Sequence, residues 1–283
     1  MDGWGPDEME CVDRGSAKAT ERRDRTVQGY RRFRCRACGR GFNERSSGVL
    51  NRAQYPSDLI ALVVLWRLRY RLTLRDLTEI FLLRGIVFCH EAIRGWEAKL
   101  APALSSQLRQ RRRGKGGAGR RSWHVDETYL KVRGRWCYLY RAIDRNGDLV
   151  DTMLSKHRDI AAAKAFFHSA RSATGIVPDR VTTYGHGSYP RAIRSTLGKQ
   201  VTHRNSAYKN NRLEQDHRGI KGRIRCMRGF KSFSSADRFC RGYDEFRNHL
   251  RSRVRHNQHV SASRRRMLYL RRATTVLVTL AAG

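Results

Sequence analysis

Apolar residues between positions 56 and 108 recur every three or four residues, which is the spacing of amphipathic helices. The segment TLRD, which begins at Thr73, resembles a capping box that opens a second helix, and Gly85 is expected to end it. A third helix is predicted from about residue 88. The apolar positions that carry this pattern are Leu59, Val63, Trp66, Tyr70, Ile93, Trp96 and Leu100. Three helices in this order predict a helix-turn-helix.

The predicted third helix presents polar residues away from its apolar stripe. His90, Glu91, Arg94 and Lys99 lie on that side, and a helix of this length and polarity suits the major groove of DNA. A three-helix bundle without a DNA role would have the same apolar pattern. The basic character of the chain favours the DNA-binding interpretation.

Residues 122–251 alternate between strand-like and helix-like patterns. The pairs RG at 133–134 and NG at 146–147 predict tight turns between antiparallel strands. The predicted order is strands at 123–130, 136–143 and 149–154, a helix at 158–172, a strand at 181–184, a short helix at 190–197, a strand at 200–203 and a helix at 207–227. This is the order of an RNase H-like domain. The predicted fold class is therefore an α/β RNase H-like core preceded by an all-α helix-turn-helix.

The net charge of the chain indicates the class of its binding partner. The 283 residues include 59 Lys and Arg against 25 Asp and Glu, a formal net charge of +34. The content of 40% hydrophobic and 9% aromatic residues predicts a folded chain. Because Lys and Arg neutralise phosphates, the excess of cations predicts binding to nucleic acid. A membrane surface is the weaker alternative.

Two segments bear on localisation. The longest apolar run, at 59–66, is far below the roughly 20 residues needed to cross a bilayer. Residues 1–10 are acidic and polar, unlike a secretory signal. We therefore expect a cytoplasmic, nucleoid-associated bacterial protein without a membrane partner.

Changes in composition predict five units. They are a small segment at 1–48, a helix-turn-helix DNA-binding domain at 50–108, a basic linker at 109–121, the α/β core at 122–250 and a basic C-terminal tail at 251–283. The linker contains seven basic residues and four glycines, which predicts flexibility. The tail is expected to contact phosphates, with a solvated helix as the alternative.

Two carboxylates are candidates for chemistry in the core. Asp126 interrupts an apolar strand, where a charge is costly unless something binds it. Glu214 lies far along the chain, on a helix with polar neighbours. If the two met at one site, their oxygens could hold a divalent cation such as Mg²⁺. As isolated residues, both could equally be solvated charges.

Five blocks of sequence carry a resemblance to a known family. They are WHVDETYLKVRGRW at 123–136, YLYRAID at 138–144, GSYPRAI at 187–193, NNRLEQDHR at 210–218 and GFKSF at 229–233. In this order they resemble the DDE transposases of bacterial insertion sequences, specifically insertion-sequence family six, over about residues 11–272. The resemblance implies an RNase H-like catalytic core in which three acidic residues bind two Mg²⁺ ions, with Mn²⁺ as a possible substitute. Asp126 and Glu214 match the first and third of these catalytic residues.

The same resemblance implies an activity and its partners. Such enzymes cleave and transfer DNA strands at terminal inverted repeats and insert them into target DNA. We expect a homo-oligomer, because two element ends must be joined. The DNA-binding candidates are Arg94, Lys99, Arg111, Arg112, Arg113, Lys221, Arg225 and Lys231, and further contacts near the metals are expected from His124, Glu127 and Asn211.

The second catalytic position departs from the family pattern. The pattern Thr-Thr-Asp-Gly/Lys-His appears here as TTYGH, so Tyr184 stands where the second Asp belongs. A phenol with an ordinary pKa of about 10 is neutral at working pH and is a poor Mg²⁺ ligand. Asp179 lies about 16 Å back along the strand, and His186 offers an imidazole that favours softer ions. The sequence therefore predicts a damaged metal site.

Two further interpretations remain open at this stage. A non-catalytic protein could occupy the element ends without cutting them, and a nonspecific packaging protein would make the motifs accidental. Whether the chain is an active enzyme is uncertain from the sequence, because its catalytic triad is incomplete.

The N-terminal cysteines form an incomplete metal motif. Cys35 and Cys38 make a Cys-x-x-Cys pair, whereas Cys11 is followed by Arg14 where related zinc ribbons carry a fourth cysteine. A closed structural zinc site needs four ligands. The segment 1–48 is therefore predicted to be a degenerate zinc-ribbon-like unit, in which Zn²⁺ is doubtful. Zinc held by three ligands and a water is one alternative, and two ordinary thiols in a basic loop are the other.

Overall fold

The computed structural model of the protein describes residues 9–114, 121–206, 211–251 and 260–282. Its strands are β1 (Ala19–Arg25), β2 (Arg31–Cys35), β3 (Gly41–Asn43), β4 (Ser122–Val132), β5 (Arg135–Asp144), β6 (Leu149–Ser155), β7 (Arg180–Thr183) and β8 (Thr202–Asn205). Its helices are α1 (Ser57–Arg69), α2 (Leu74–Leu82), α3 (His90–Arg112), α4 (Ile160–Thr174), α5 (Ser188–Thr196), α6 (Asn211–Arg225), α7 (Phe233–Leu250) and α8 (Ala262–Ala282).

The central sheet has five strands in the order β6-β5-β4-β7-β8. The first three strands of the core, β4 to β6, pair antiparallel, while β7 and β8 run parallel to β4. Gly134 and Gly147, with φ of 77° and 79°, make the two tight turns that the sequence predicted. This topology confirms the predicted RNase H-like core.

Each face of the sheet packs against different helices. Trp123 and Val125 of β4 point into an apolar cluster formed with α4 and α5. Because side chains alternate along a strand, Asp126 lies on the opposite face, together with Leu130, which joins the cluster formed with α7. Asp126 therefore faces the side of the sheet on which α6 and α7 lie.

The N-terminal helices share a core with the α/β unit. The capping box at the start of α2 is confirmed, because Thr73 and Asp76 exchange backbone and side-chain hydrogen bonds. Leu68 and Leu100, of α1 and α3, belong to one continuous apolar cluster with Phe239 of α7. The segment predicted to be a helix-turn-helix is thus packed onto the α/β core through α7, a helix that the sequence pattern did not predict.

The C-terminal segment differs from the predicted tail. Residues 262–282 form α8, which packs on α1. Val276 and Leu280 are 1% and 2% exposed. Their four-residue spacing, continued back to Ala273, gives this arginine-rich helix an apolar stripe. The predictions of a phosphate-contacting tail and of a solvated helix are wrong for this stripe.

The predicted flexible linker begins later than expected. Helix α3 continues to Arg112, so the prediction is wrong for residues 109–112. The cause is that Arg109 and Arg112 find carboxylate partners, Asp151 and Glu245, at distances of 3.1 and 2.6 Å. Residues 115–120, the rest of the glycine-rich stretch, lie outside the described residues.

The N-terminal unit is a three-stranded antiparallel sheet in the order β1-β2-β3. Its small core contains Phe33 and Phe42, whose stacked rings lie 5.6 Å apart, together with Cys11 and Cys35. In the described part of the chain, none of the helices is both long and apolar enough to cross a membrane.

Candidate active site

The two predicted carboxylates come together in space. Asp126 lies in the middle of β4 and is 9% exposed, while Glu214 lies in the first turn of α6 and is exposed. One ligand atom each of Asp126, Glu214 and His217 lies within 4.8 Å of the others. Glu214 and His217 share a helix face because they are three residues apart. Two carboxylate oxygens and one imidazole nitrogen suit a single divalent cation.

Negative charge accumulates around Asp126. Burial is the main cause that raises the pKa of this carboxyl to about 7, and the charges of Glu127 and Glu214 add to it. The fold therefore holds Asp126 where its ionised form is unfavourable without a counter-charge. A cation bound between Asp126 and Glu214 would supply that charge.

His217 is the site residue that sequence reasoning passed over as a polar neighbour. It is 4% exposed, and its Nδ1 lies 3.9 Å from Oδ2 of Asp126. Burial and the nearby cations Arg141 and Lys221 lower the pKa of His217 to about 3. The ring is therefore neutral, which leaves a nitrogen lone pair available. Its three-residue spacing from Glu214 was the signal that could have identified it.

Tyr184 directly follows β7, the strand that runs parallel to β4 and ends beside Val125. The parallel pairing of β4 and β7 ends with Val125 opposite Thr183, so Asp126 and Tyr184 are the next residues on neighbouring strands. Strand alternation from Thr182 assigns position 184 to the face of Asp126. The Tyr184 side chain is 56% exposed. The departure seen in the sequence therefore falls at the end of the parallel strands where Asp126, Glu214 and His217 cluster.

The nearby alternatives to a second carboxylate have other partners. Asp179 precedes β7 at its opposite end and forms a 4.0 Å ion pair with Arg121. His186 Nδ1 lies 2.7 Å from the Ser188 hydroxyl, at the start of α5. Neither belongs to the cluster of Asp126, Glu214 and His217.

A buried charge network fixes α6 against the sheet. Arg141, the cross-strand partner of Asp126, is 1% exposed and forms two hydrogen bonds with Asp244 of α7, at 2.6 and 3.0 Å. Asp216 lies between Arg141, at 3.7 Å, and Arg247, at 2.5 Å. Because Asp216 adjoins His217 and is two residues from Glu214, this network positions both candidate ligands.

Glu127 is a correction to the expected contacts near the metals. It points to the opposite face from Asp126, where its carboxylate pairs with Arg158 and accepts a hydrogen bond from the Tyr189 hydroxyl. A buried and paired carboxylate on that face cannot contact DNA. His124 lies on the face of Asp126, two residues before it. The side chain of Asn211 lies outside those described.

The predicted DNA-binding cations fall into two groups. Arg112 is 7% exposed and bound bidentately to Glu245, so its assignment to DNA is wrong, because that pair is enclosed between α3, β6 and α7. The other seven predicted cations are exposed, and they are Arg94, Lys99, Arg111, Arg113, Lys221, Arg225 and Lys231. Their DNA contacts stay a prediction.

One groove brings together two cations that the sequence separates by more than a hundred residues. Arg94 of α3 and Lys231, just before α7, both line a groove of about 980 Å³. Arg75, Arg228 and Arg238 add further positive charge, and Glu91 forms a 2.5 Å ion pair with Arg94. Helix α3, which the sequence predicts to enter the major groove, therefore borders the segment that follows α6.

The three N-terminal cysteines also cluster. Their sulfurs lie within 4.8 Å of one another, with 3.6 Å between the Sγ atoms of Cys11 and Cys38. Backbone N–H groups, chiefly that of Cys38, lower the pKa of Cys35. Such N–H contacts favour the thiolate, which is the form that binds metal.

Two matching turns hold this cluster. The Gly15 N–H donates to the Cys11 carbonyl at 2.8 Å, and the Gly39 N–H donates to the Cys35 carbonyl at 2.9 Å. Both glycines have positive φ, 60° and 71°. The equivalence of the turns assigns Arg14 to the position that Cys38 occupies in the other turn. The arrangement fits the predicted zinc-ribbon-like unit with one ligand replaced, and its metal binding stays a prediction.

Replacing Asp126 with asparagine is expected to stabilise the metal-free protein at pH 8 by about 2–4 kcal/mol. Above pH 7 the wild-type carboxylate is charged in the folded and in the unfolded protein, but only in the folded protein does burial make that charge unfavourable. Below pH 7 the folded group is protonated, so the advantage of Asp126→Asn should shrink towards pH 4. Urea unfolding in EDTA at pH 5 and pH 8 tests this. An equal advantage at both pH values would contradict the raised pKa.

Comparisons with known proteins identify the family of this chain. The family model described as a DDE domain, DDE_Tnp_IS240, matches residues 120–253. The transposase for the insertion sequence-like element IS431mec of Staphylococcus aureus strain Mu50 is 36% identical over 174 residues, which are 60% of this chain and 75% of that protein. The transposase for IS257 in transposon Tn4003 of S. aureus has the same identity and coverage.

A solved structure matches part of this chain. The catalytic domain of the Mos1 mariner transposase matches 65% of this chain and 93% of that domain, with a TM-score of 0.34 and 12% identity. The sequence relatives, the matched DDE domain and the strand order lead to one identification. This chain belongs to the DDE transposases of the IS431/IS257 insertion sequences, in insertion-sequence family six.

Proposed function

We propose that this transposase binds the terminal inverted repeats of its own element and that its strand cleavage and transfer are impaired in this copy. The observation that carries the proposal is the neighbouring position of Asp126 and Tyr184 on parallel strands. Where the family pattern has a carboxylate, this chain has a phenol, which is a poor Mg²⁺ ligand.

The carboxylates that remain fit one divalent ion. Asp126 and Glu214 would hold it, and the ion would supply Lewis-acid activation of the attacking and leaving oxygens at the DNA strand. A second ion would lack the carboxylate of position 184. The residues themselves orient the site, since Arg141 and Asp216 fix α6 relative to β4.

DNA binding does not depend on the damaged position. The exposed cations Arg94 and Lys99 of α3, Lys221 and Arg225 of α6, and Lys231 are proposed to contact the element ends and the target DNA. We propose that the protein acts as a homo-oligomer, because two ends must be brought together. Its place of action is proposed to be the bacterial nucleoid.

The second candidate function is end binding without catalysis, and the same Tyr184 favours it. The two functions are separated by measuring binding and cleavage on one DNA. Wild-type protein should shift end DNA in preference to scrambled DNA at moderate salt, and with Mg²⁺ or Mn²⁺ should give little strand transfer. Vigorous transfer that Asp126→Ala abolishes would overturn the proposed impairment. Equal binding of both DNAs would overturn the assignment to element ends.

We also propose that the cysteine cluster binds Zn²⁺ weakly, through the thiolates of Cys11, Cys35 and Cys38. Arg14→Cys should complete a tetrahedral site and strengthen Zn²⁺ binding by about a hundredfold or more. Competition with a chromophoric chelator measures the affinity, with Arg14→Ser as the matched control that removes the cation without adding a thiol. Equal affinity in Arg14→Cys and Arg14→Ser would show that position 14 does not reach the metal.

A further inference from the structure

We propose that His217 is the third protein ligand of the divalent ion held by Asp126 and Glu214, and that this mixed oxygen and nitrogen set makes the site select Mn²⁺ over Mg²⁺. The inference rests on the proposed function for the roles of Asp126 and Glu214 as ligands. It goes further by assigning a ligand outside the three catalytic positions.

The geometry of His217 carries the proposal. A ring nitrogen of His217 lies within 4.8 Å of a carboxylate oxygen of both Asp126 and Glu214. Atoms bound at about 2.1–2.3 Å to one ion lie no more than about 4.6 Å apart, so a small side-chain adjustment would bring all three onto a shared ion. Because α6 brings Glu214 and His217 to one face, the helix supplies two ligands and β4 supplies the third.

The hydrogen bonding of His217 supports a ligand role over a packing role. The ring is 4% exposed, and within the described residues its Nε2 is buried without a hydrogen-bond partner. The 3.9 Å from Nδ1 to Asp126 Oδ2 is too long for a hydrogen bond. A buried histidine with a structural role normally has its polar atoms satisfied. A metal between the ring and Asp126 would be bound through Nδ1, the ring nitrogen that lies 3.9 Å from the carboxylate.

The chemistry of position 184 explains why the metal preference should change. With a carboxylate there, three carboxylates would outnumber the one imidazole, and such an oxygen-rich set suits Mg²⁺. With Tyr184 the described donor set is two carboxylates and one imidazole. Imidazole nitrogen binds Mn²⁺ and later first-row metals better than Mg²⁺, which keeps its water shell. The substitution therefore shifts selectivity instead of simply removing a ligand.

The proposal is tested by metal binding to the full-length protein without DNA. Mn²⁺ is titrated while the free ion is followed by electron paramagnetic resonance, and Mg²⁺ competition gives the selectivity. Wild-type protein should bind Mn²⁺ at least about tenfold more tightly than Mg²⁺, and His217→Ala should weaken Mn²⁺ binding by about tenfold or more. His186→Ala is the matched control, since His186 also lies near the strand ends, and it should bind Mn²⁺ like the wild type.

A second measurement needs no variant and so does not depend on the folding of His217→Ala. Electron spin echo modulation of Mn²⁺ bound to wild-type protein should show coupling to one directly bonded imidazole nitrogen, which changes when histidine is labelled with ¹⁵N. Absence of nitrogen coupling, absence of Mn²⁺ binding, or loss of binding in His186→Ala alone would overturn the proposal. Strand transfer is measured separately, so a failure of the proposed function is distinguishable from a failure of this ligand assignment.

Discussion

Tyr184→Asp is expected to raise Mg²⁺-dependent strand cleavage and transfer by at least about a hundredfold. The new carboxylate would lie next to Asp126, at the carboxyl end of the parallel strand β7. A correctly held second metal ion supplies several kcal/mol of transition-state stabilisation, and each 1.4 kcal/mol corresponds to about a tenfold change in rate. Because the Tyr184 side chain is 56% exposed, the smaller aspartate leaves no buried cavity.

The measurement is strand transfer on the element's own end DNA at fixed Mg²⁺. Tyr184→Asn is the matched control, since it removes the ring and adds an uncharged amide that is similar in size to the aspartate carboxylate. A large gain in Tyr184→Asp only, abolished by adding Asp126→Ala, would establish an intact scaffold with one missing ligand. An equal gain in Tyr184→Asn would mean that the ring blocks DNA, and no gain in either would place the defect elsewhere.

Arg112→Ala is expected to lower the free energy of unfolding by about 3–5 kcal/mol, whereas Arg111→Ala should change it by less than about 0.5 kcal/mol. Arg112 is bound to Glu245 by hydrogen bonds of 3.0 and 2.6 Å and donates to the carbonyls of Leu149 and Val150. Removing the guanidinium leaves a buried carboxylate with its principal partner gone. Arg111, one residue earlier, is exposed.

For DNA binding we expect the opposite: Arg111→Ala should have the larger effect and Arg112→Ala the smaller one. If Arg111 contacts a phosphate, Arg111→Ala should reduce the slope of log affinity against log salt by about one. Arg112→Ala should leave that slope unchanged at temperatures where it stays folded. Urea unfolding and salt-dependent gel shifts measure the two effects. Comparable stability of both variants would contradict the enclosed Arg112–Glu245 pair.

Local patterns in the sequence were sufficient for much of the fold. The capping box at Thr73 and the tight turns at Gly134 and Gly147 are short-range features, because their hydrogen bonds and dihedral angles involve residues only a few positions apart. The order of strands and helices in the core follows from the same local patterns and from the resemblance of five blocks. Two predicted ligands, Asp126 and Glu214, do lie together.

Long-range packing decided what the sequence pattern left open. Arg112 and Arg111 are adjacent in the same basic run. Only Arg112 forms a buried ion pair, because the fold packs Glu245, 133 residues later in the sequence, against it. The sequence of α8 is likewise rich in basic residues. Its apolar stripe, which includes Val276 and Leu280, is buried because α1 packs over it.

By itself, therefore, the sequence determined the family, the order of the core elements from β4 to α6 and the unusual residue at position 184. The tertiary structure decided which charges are buried and which side chains surround Asp126. His217 joined the site because α6 is fixed to β5 and α7 through Asp216, Arg141 and Asp244. The physical reason is that desolvation of a charge or an imidazole depends on every element packed around it, and most of those elements are distant in sequence.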